Sequence, residues 1–400
     1  MGRRSRGQVT PPARLQAAIE LLDWIIAAAR DNGASADNIA KKFFKERRYA
    51  GSGDRRAIRE LVYTAIRRWG ERPKNGRQAM LGLVAEQPEL RELFTGTAYG
   101  PAAIGADEPV ASGAQIPDWL ADKFASLIDG PERTALFDRA PLHVRVNGQR
   151  STDLEVKSAW PDAVALALPH GYELPTGTQL EDKTLFREGA IEIQDLGSQA
   201  IAAAGAAGKP GLVLDLCAGA GGKTLALAAM LPSDTRIVAA DTDRGRLSRI
   251  EPRKRRASAR NIETILLAPG KEVDALQNLK ASCDLVLIDA PCSGTGTWRR
   301  NPELRWRMSP KRLEYTTELQ QRLMALGSEM VKPGGRLVYA VCSLLDAEGG
   351  DQTDRFLANH PHWQEISIDL PIGRPYRKGT LLSPYHDGTD GFYFTCLEKL

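Results

Sequence analysis

The sequence predicts an α/β protein with a doubly wound, mostly parallel sheet from residue 186 onward, preceded by a small α+β module and an all-helical segment. Three observations lead there. From Val213 short apolar strands alternate with glycine turns and helices, the rhythm of βαβ units. Those strands deliver Asp215, Asp241, Asp289 and Cys342 near their carboxyl ends, where ligands gather in open parallel sheets. Before about residue 95, apolar residues instead recur at the period of an amphipathic helix.

In chain order, Leu15, Ile19, Leu22, Ile25 and Ile26 mark a helix over Arg14–Arg30, ended by Asn32–Gly33. A second helix is expected from Ser35, with its hydroxyl as cap, running into the basic and aromatic stretch Lys41–Tyr49. Gly51–Asp54 reads as a turn with Asp54 capping a third helix that carries Ile58, Leu61, Val62, Ala65 and Ile66. The same helix holds Arg55, Arg56, Arg59, Arg67 and Arg68. Each alone fits a solvated face; beside Lys41–Arg48 they fit an RNA footprint equally well.

Residues 1–95 are therefore expected to form a helical domain, and 96–115, rich in Gly, Ala, Pro and Thr, a linker. Residues 116–185 form the α+β module: a short helix at Pro117–Leu120, a strand at Leu142–Val146, a helix Asp153–Ala159 capped by Ser151–Thr152, and a strand over Ala163–Leu168. Residues 186–400 form the sheet domain.

The length of 400 residues suits two or three domains, and 42% hydrophobic with 26% charged residues suits a soluble globular chain. Apolar runs such as Leu285–Ile288 are too short to span a bilayer, so no membrane partner is expected. No apolar segment follows the basic Met1–Arg6, so no secretory leader is expected. Five cysteines without a C-x-x-C pair argue against zinc, any other metal or a disulfide framework, and suit a reducing cytoplasm. The net charge of +4 names no partner by itself.

Four features carry chemistry. Asp215–Thr224 is a glycine-rich turn between a strand and a helix. It is neither a P-loop nor a dinucleotide fingerprint, because Thr224 stands where each needs a glycine or alanine. Its D-x-x-x-G-x-G-G form resembles the adenosylmethionine loop of class I methyltransferases. Asp241, at the next strand end, suits the ribose hydroxyls of a nucleoside cofactor. Asp289-Ala-Pro-Cys-Ser-Gly-Thr-Gly296 and Tyr339-Ala-Val-Cys-Ser343 each bring a thiol to a strand end. Cys283, Cys396 and Cys217 read as small buried hydrophobes, whereas Cys292 and Cys342 lie among small neighbours that a substrate can approach.

Two thiols and an acid beside a methyl donor address one chemical difficulty: carbon 5 of cytosine is a poor nucleophile. A thiolate adding to carbon 6 makes it an enamine carbon, an acid at the N3/N4 edge stabilises the developing charge, and a base then removes the carbon-5 proton.

On Gln194–Gln199, Asp215–Thr224, Asp241–Leu247, Asp289–Gly296, Gly334–Ser343 and Asp390–Phe394, the chain resembles the RsmB/NOP2/Sun family of RNA 5-methylcytosine methyltransferases, and most closely its bacterial ribosomal RNA branch. Pro141–Asn147 is similar to the family's RNA-side extension and the first helices to a NusB-like domain. The resemblance implies a Rossmann-like core that uses S-adenosyl-L-methionine (SAM). It implies Cys342 as nucleophile, Cys292 as the thiol promoting release, and Asp289 beside both donor and cytosine. Cys217, Ala218, Gly219, Ala220, Gly221, Gly222 and Lys223 would line the cofactor pocket with Asp241 on its ribose, and Lys223 would also reach the base. The implied partner is RNA, in ribosomal RNA or an assembling subunit, met by a monomer.

The chain departs from the family pattern at Val341, usually threonine, at Ala268, near which an acid is usual, and at Asp346-Ala-Glu348, a reduced Pro-Glu-Glu-Asn. Transfer RNA is the alternative substrate, and a catalytically silent RNA-binding assembly factor the alternative class. An exocyclic amino methyltransferase would carry [DN]-P-P-[YF] where Asp289-Ala-Pro-Cys292 stands. Arg299, Arg300, Arg305, Arg307, Lys311 and Arg312, with Trp298 and Trp306, are expected to form a cationic, aromatic RNA rim. Arg253–Arg256 and Arg260 are expected on a solvated helix face.

Overall fold

The computed structural model describes residues 9–31 and 33–400; the Met1–Arg6 stretch and Asn32, used above, lie outside them. By compactness the chain divides into one unit of residues 1–123 with 300–310, and another of 124–299 with 311–400. The stretch 300–310 thus groups with the helices, where the sequence reading had put it in the sheet domain.

In the first unit, helices α1 (Pro11–Arg30), α2 (Ala36–Glu46), α3 (Ser52–Arg68) and α4 (Gly76–Leu83) bury Leu15, Leu22, Ile25, Phe43, Ile58 and Ile66 in a common core. Thr10 caps α1 by accepting from the Ala13 amide. The expected Ser35 cap on α2 does not form. Glu303 Oε1 accepts the Ala36 amide at 3.0 Å instead, so a carboxylate distant in sequence satisfies that donor. Asp54, in the first turn of α3, accepts the Gly51 amide at 3.0 Å and pairs with Arg14 at 2.9 Å. The 96–115 stretch has no regular structure but is pinned: Arg77 forks onto Glu108 and donates to the Ala102 and Ala103 carbonyls.

The second unit holds two sheets. The smaller comprises β1 (Leu142–Val146), β2 (Val164–Ala165), β3 (Gly171–Leu174) and β4 (Ile191–Ile193), in the antiparallel order β2-β3-β1-β4. The strand expected over Ala163–Leu168 shrinks to β2 because the chain turns at once: the Gly171 amide bonds the Leu168 carbonyl and His170 takes φ +64°.

The larger sheet runs β5 (Leu212–Asp215), β6 (Arg236–Asp241), β7 (Ile262–Leu266), β8 (Cys283–Asp289), β9 (Val331–Val341), then β10 (Trp363–Glu365), β11 (Arg374–Pro375), β12 (Thr380–Leu382) and β13 (Phe392–Lys399). Its spatial order is β11-β12-β13-β9-β8-β5-β6-β7, with β10 beside β13. Strands β5 to β9 are parallel, and β13 is antiparallel to β9. The chain builds outward from β5 to β7 and returns to β8, so a topological switch point opens between β5 and β8 at their carboxyl ends. The strands are apolar on both faces, as parallel strands covered by helices must be: Leu214, Val286 and Leu337 face one core, Val213, Leu287 and Val338 the other. No described helix is long and apolar enough to cross a membrane.

Candidate active site

The glycine turn sits at the end of β5. Gly221 takes φ +80° as N-cap of helix Gly222–Met230, and a Cβ there would lie 2.8 Å from Ile250 Cγ1, so both backbone and packing require glycine. Asp241 Oδ2 accepts the Gly219 amide and Oδ1 the Asp243 amide, each at 2.7 Å. Asp241 therefore clamps the turn, with lone pairs to spare for further donors. Asp215 is buried; its Oδ2 accepts the Thr224 hydroxyl at 2.6 Å, while Oδ1 is buried with no hydrogen-bond partner among the described residues. Burial pushes its carboxyl up to about 7.

Lys223 points from that helix to Asp289, at the end of β8, with Nζ 2.7 Å from Oδ2. The lysine is buried and the aspartate about one-third exposed, so the pair has one open side.

Within the Arg253–Arg256 and Arg260 cluster Arg255 and Arg260 are exposed as expected, but Arg253 and Arg256 are not on a solvated face. Glu192 of β4, buried, holds Arg253 at 3.0 Å and also Arg256, and Arg253 Nη1 donates to the Ala220 carbonyl at 2.5 Å. A charge run in sequence carries no sign of the single buried carboxylate that gathers it. Through these contacts the small sheet braces the glycine turn.

Asp289 and Ala340 are paired across β8 and β9, so the chain just beyond each strand meets. There Cys292 Sγ and Cys342 Sγ lie 3.3 Å apart, both half-buried. The bond to Cys342 first, and burial second, push the Cys292 thiol well above the ordinary range. Cys217 is also pushed up, by burial, and Cys283 and Cys396 reach about 12 for the same reason.

Backbone contacts lock the two loops together. The Gly296 amide donates to the Cys342 carbonyl at 3.1 Å and the Gly391 amide to the Gly296 carbonyl at 2.8 Å. A Cβ on Gly296 would sit 1.9 Å from the Gly391 oxygen. Ser343 Oγ lies 3.1 Å from both Ser293 Oγ and Thr295 Oγ1, and the Leu344 amide donates to Thr295 Oγ1 at 2.9 Å. Beneath lies Glu348, fully buried, accepting the Ser293 amide at 2.8 Å. Sequence reasoning missed Glu348, Ser293, Ser343 and Thr295 as parts of the site. Ser293, Thr295 and Ser343 were visible only as neighbours of the thiols in their motifs, and Glu348 only as the end of Asp346-Ala-Glu348, with nothing to show that it reaches the Cys292 turn. Val341 is wholly buried in β9.

The expected cationic, aromatic rim loses both its tryptophans and two of its six cations to burial. Trp298 is fully buried between Phe124 and Phe137, and Arg299 pairs with Asp390 at 2.7 Å and Asp195 at 3.5 Å. In the helical unit Arg305 is 1% exposed, donating to the carbonyls of Pro302, Gln115 and Ile66. Trp306 is buried too, and its Nε1 donates to the Trp69 carbonyl at 2.8 Å. Burial pushes Arg305 down to about 9. Four of the residues expected on an RNA surface, Trp298, Arg299, Arg305 and Trp306, are packing instead, while Lys311 and Arg312 are exposed.

A family model described as 16S rRNA methyltransferase RsmB/F matches residues 207–398. The probable ribosomal RNA small subunit methyltransferase B of Synechocystis sp. is 33% identical over 318 residues, covering 73% of this chain and 69% of that one. Among solved structures, a methyltransferase homolog protein from Pyrococcus horikoshii has a TM-score of 0.59 at 25% identity, covering 68% of this chain and 90% of that one. The crystal structure of PH0851 has a TM-score of 0.78 at 20% identity, covering 98% of this chain and 100% of that one, which establishes likeness of fold.

Proposed function

Because this chain belongs to the RsmB/F family of 16S rRNA methyltransferases, we propose that it methylates carbon 5 of a cytosine in small-subunit ribosomal RNA, with S-adenosylmethionine as donor and Cys342 as nucleophile. One observation carries the mechanism: two thiols 3.3 Å apart at adjacent strand ends, next to the Lys223–Asp289 pair.

The residues around the switch point suit the cofactor. Cys217, Ala218, Gly219, Ala220, Gly221, Gly222 and Lys223 would line it, and Asp241 has acceptor capacity left for ribose hydroxyls. The orphaned Asp215 Oδ1 calls for a donor such as the ammonium of an amino acid. When bound, the cofactor supplies an electrophilic methyl carbon on a sulfonium.

The chain's own residues do the rest. Cys342 adds to carbon 6, placing negative charge on the N3 and O2 side of the ring. Asp289 accepts from the exocyclic amine, and the Lys223 ammonium beside it stabilises that charge in a partly desolvated site. Cys292 serves the release of the product from Cys342. A silent assembly factor would have no use for this arrangement.

For RNA, the helical unit offers a concavity lined by Lys41, Phe44, Lys45, Arg48, Arg55 and Arg59, five cations around one ring and no carboxylate. We assign it to backbone phosphates, and the small sheet to the RNA side of the catalytic unit. The enzyme acts in the cytoplasm, on free or assembling small-subunit RNA.

The test is incubation of the protein with labelled S-adenosylmethionine and unmodified small-subunit ribosomal RNA, transfer RNA in parallel, followed by bisulfite mapping. Label at one ribosomal cytosine is expected. Label only in transfer RNA would move the substrate, and no cytosine label in either would sink the proposal.

A further inference from the structure

Glu348 is completely buried, yet no catalytic role above involves it. One carboxylate oxygen accepts the Ser293 amide at 2.8 Å, the Thr316 hydroxyl at 3.0 Å and Gln320 Nε2 at 3.2 Å; the other accepts the Ser293 hydroxyl. All four donors are neutral. Burying a carboxylate on neutral donors is costly, and here each donor comes from the turn that carries Cys292 or from the helix packed on it.

Its contacts surround Cys292. Ser293 follows that thiol, and its Oγ reaches Ser343, the residue after Cys342, at 3.1 Å. Gln320 Nε2 also donates to the carbonyl of Pro291, the residue before Cys292, at 2.9 Å. The Tyr339 hydroxyl donates to the Glu348 carbonyl at 2.6 Å, anchoring this backbone to β9. The Glu348 carboxylate thus holds the Cys292 turn directly at Ser293 and through Gln320 at Pro291, while the Glu348 carbonyl ties this backbone to the strand that presents Cys342.

We propose that Glu348 is a positioning residue that fixes Cys292 against Cys342 and sets the rate of product release. This rests on the two-thiol reading above. In release the C5–H bond breaks: the proton passes to Cys292 Sγ, and the electron pair forms the C5–C6 double bond. The C6–S bond breaks at the same time and its pair stays on Cys342. Cys292 ends as a thiol beside the Cys342 thiolate. The proton Cys292 carried before has gone to solvent, and is the one proton that methylation releases overall. The negative charge of Glu348 is among the influences that raise Cys292, after the Cys342 bond, burial and the charge on Cys342, and a sulfur so raised is a stronger base once ionised.

The experiment uses the full chain with small-subunit ribosomal RNA and reads adduct formation, RNA release and the pH profile of Cys292. The last is followed by iodoacetamide alkylation and peptide mass spectrometry in a Cys342→Ala background. Glu348→Gln is expected to lower the pH of half-alkylation by about one unit. With Cys342 intact, it should slow release roughly tenfold while adduct formation changes little. Ser293→Ala, which keeps the charge and removes one tether, should also slow release, and it decides the matter if a melting curve shows Glu348→Gln unfolded. A folded Glu348→Gln with an unmoved alkylation profile overturns the proposal, as does equal loss of attack and release, or release at the wild-type rate in Ser293→Ala. If Cys292→Ala fails to trap an adduct, the two-thiol reading falls, while the alkylation profile still decides whether Glu348 controls Cys292.

Discussion

Cys292 Sγ stands 3.3 Å from Cys342 Sγ, although 50 positions separate them in the chain. Parallel pairing of β8 with β9 makes the contact, because each thiol lies just past the end of its strand. The two cysteines are therefore expected to fail in different ways. Cys292→Ala should accumulate a covalent protein–RNA adduct, with turnover down by about 10²–10⁴. Cys342→Ala should form no adduct. Denaturing gels with labelled RNA read both, and turnover by Cys342→Ala would reverse the roles.

Lys223 and Asp289 come from different elements and meet at 2.7 Å. Lys223→Met removes the cation that would face charge on the base, and is expected to reduce single-turnover methylation on the order of a hundredfold. The loss should appear in adduct formation. A variant that attacks normally would take Lys223 out of the reaction.

Asp215 is held up to about 7 by burial, against the ordinary range near 4 in an unfolded chain. Between those values the folded state keeps a proton that the unfolded state has lost. Stability of the cofactor-free protein should therefore fall as pH rises from about 4 to 7, by an amount on the order of a few kcal/mol, and Asp215→Asn should flatten that slope. Urea unfolding at pH 5 and pH 8 for both proteins measures it; equal slopes would refute the assignment.

Gly296 has no room for a methyl group, since a Cβ would fall 1.9 Å from the Gly391 oxygen. Gly296→Ala is expected to destabilise by about 1–3 kcal/mol through forced backbone shifts. Displacement of the Cys292 loop should also lower activity at temperatures where the variant remains folded. Thermal unfolding beside a turnover assay tests both, and an unchanged melting temperature would refute the clash.

Arg305 and the Lys45–Arg48 stretch look alike as sequence and should behave oppositely. Arg305→Met strands the carbonyls of Ile66 and Gln115 and should cost roughly 1–3 kcal/mol of stability, with RNA affinity of the folded protein retained. Lys45→Glu with Arg48→Glu, in the cationic concavity, should weaken RNA binding and reduce the salt dependence by about two ions. Filter binding at several salt concentrations, with melting curves, separates the cases. Unchanged affinity in the double variant would move the RNA contact elsewhere.

The sequence by itself determined the parallel sheet, the helical start, the glycine turn and the two candidate thiols. Each is written locally: period 3.6 or 2 in apolar residues, glycines where a turn needs them, and reactive groups at strand ends. Side-chain pairing across distance was not legible. Glu303 capping α2, Glu192 gathering Arg253 and Arg256, and Arg305 and Trp306 burying themselves all depend on partners that only the tertiary fold supplies. A run of arginines has the same composition whether water or a carbonyl cage receives it, so exposure had to come from the structure. For the thiols with which the site begins, sequence named the pair, and the tertiary structure brought them to 3.3 Å and placed Glu348 beneath the turn that carries Cys292.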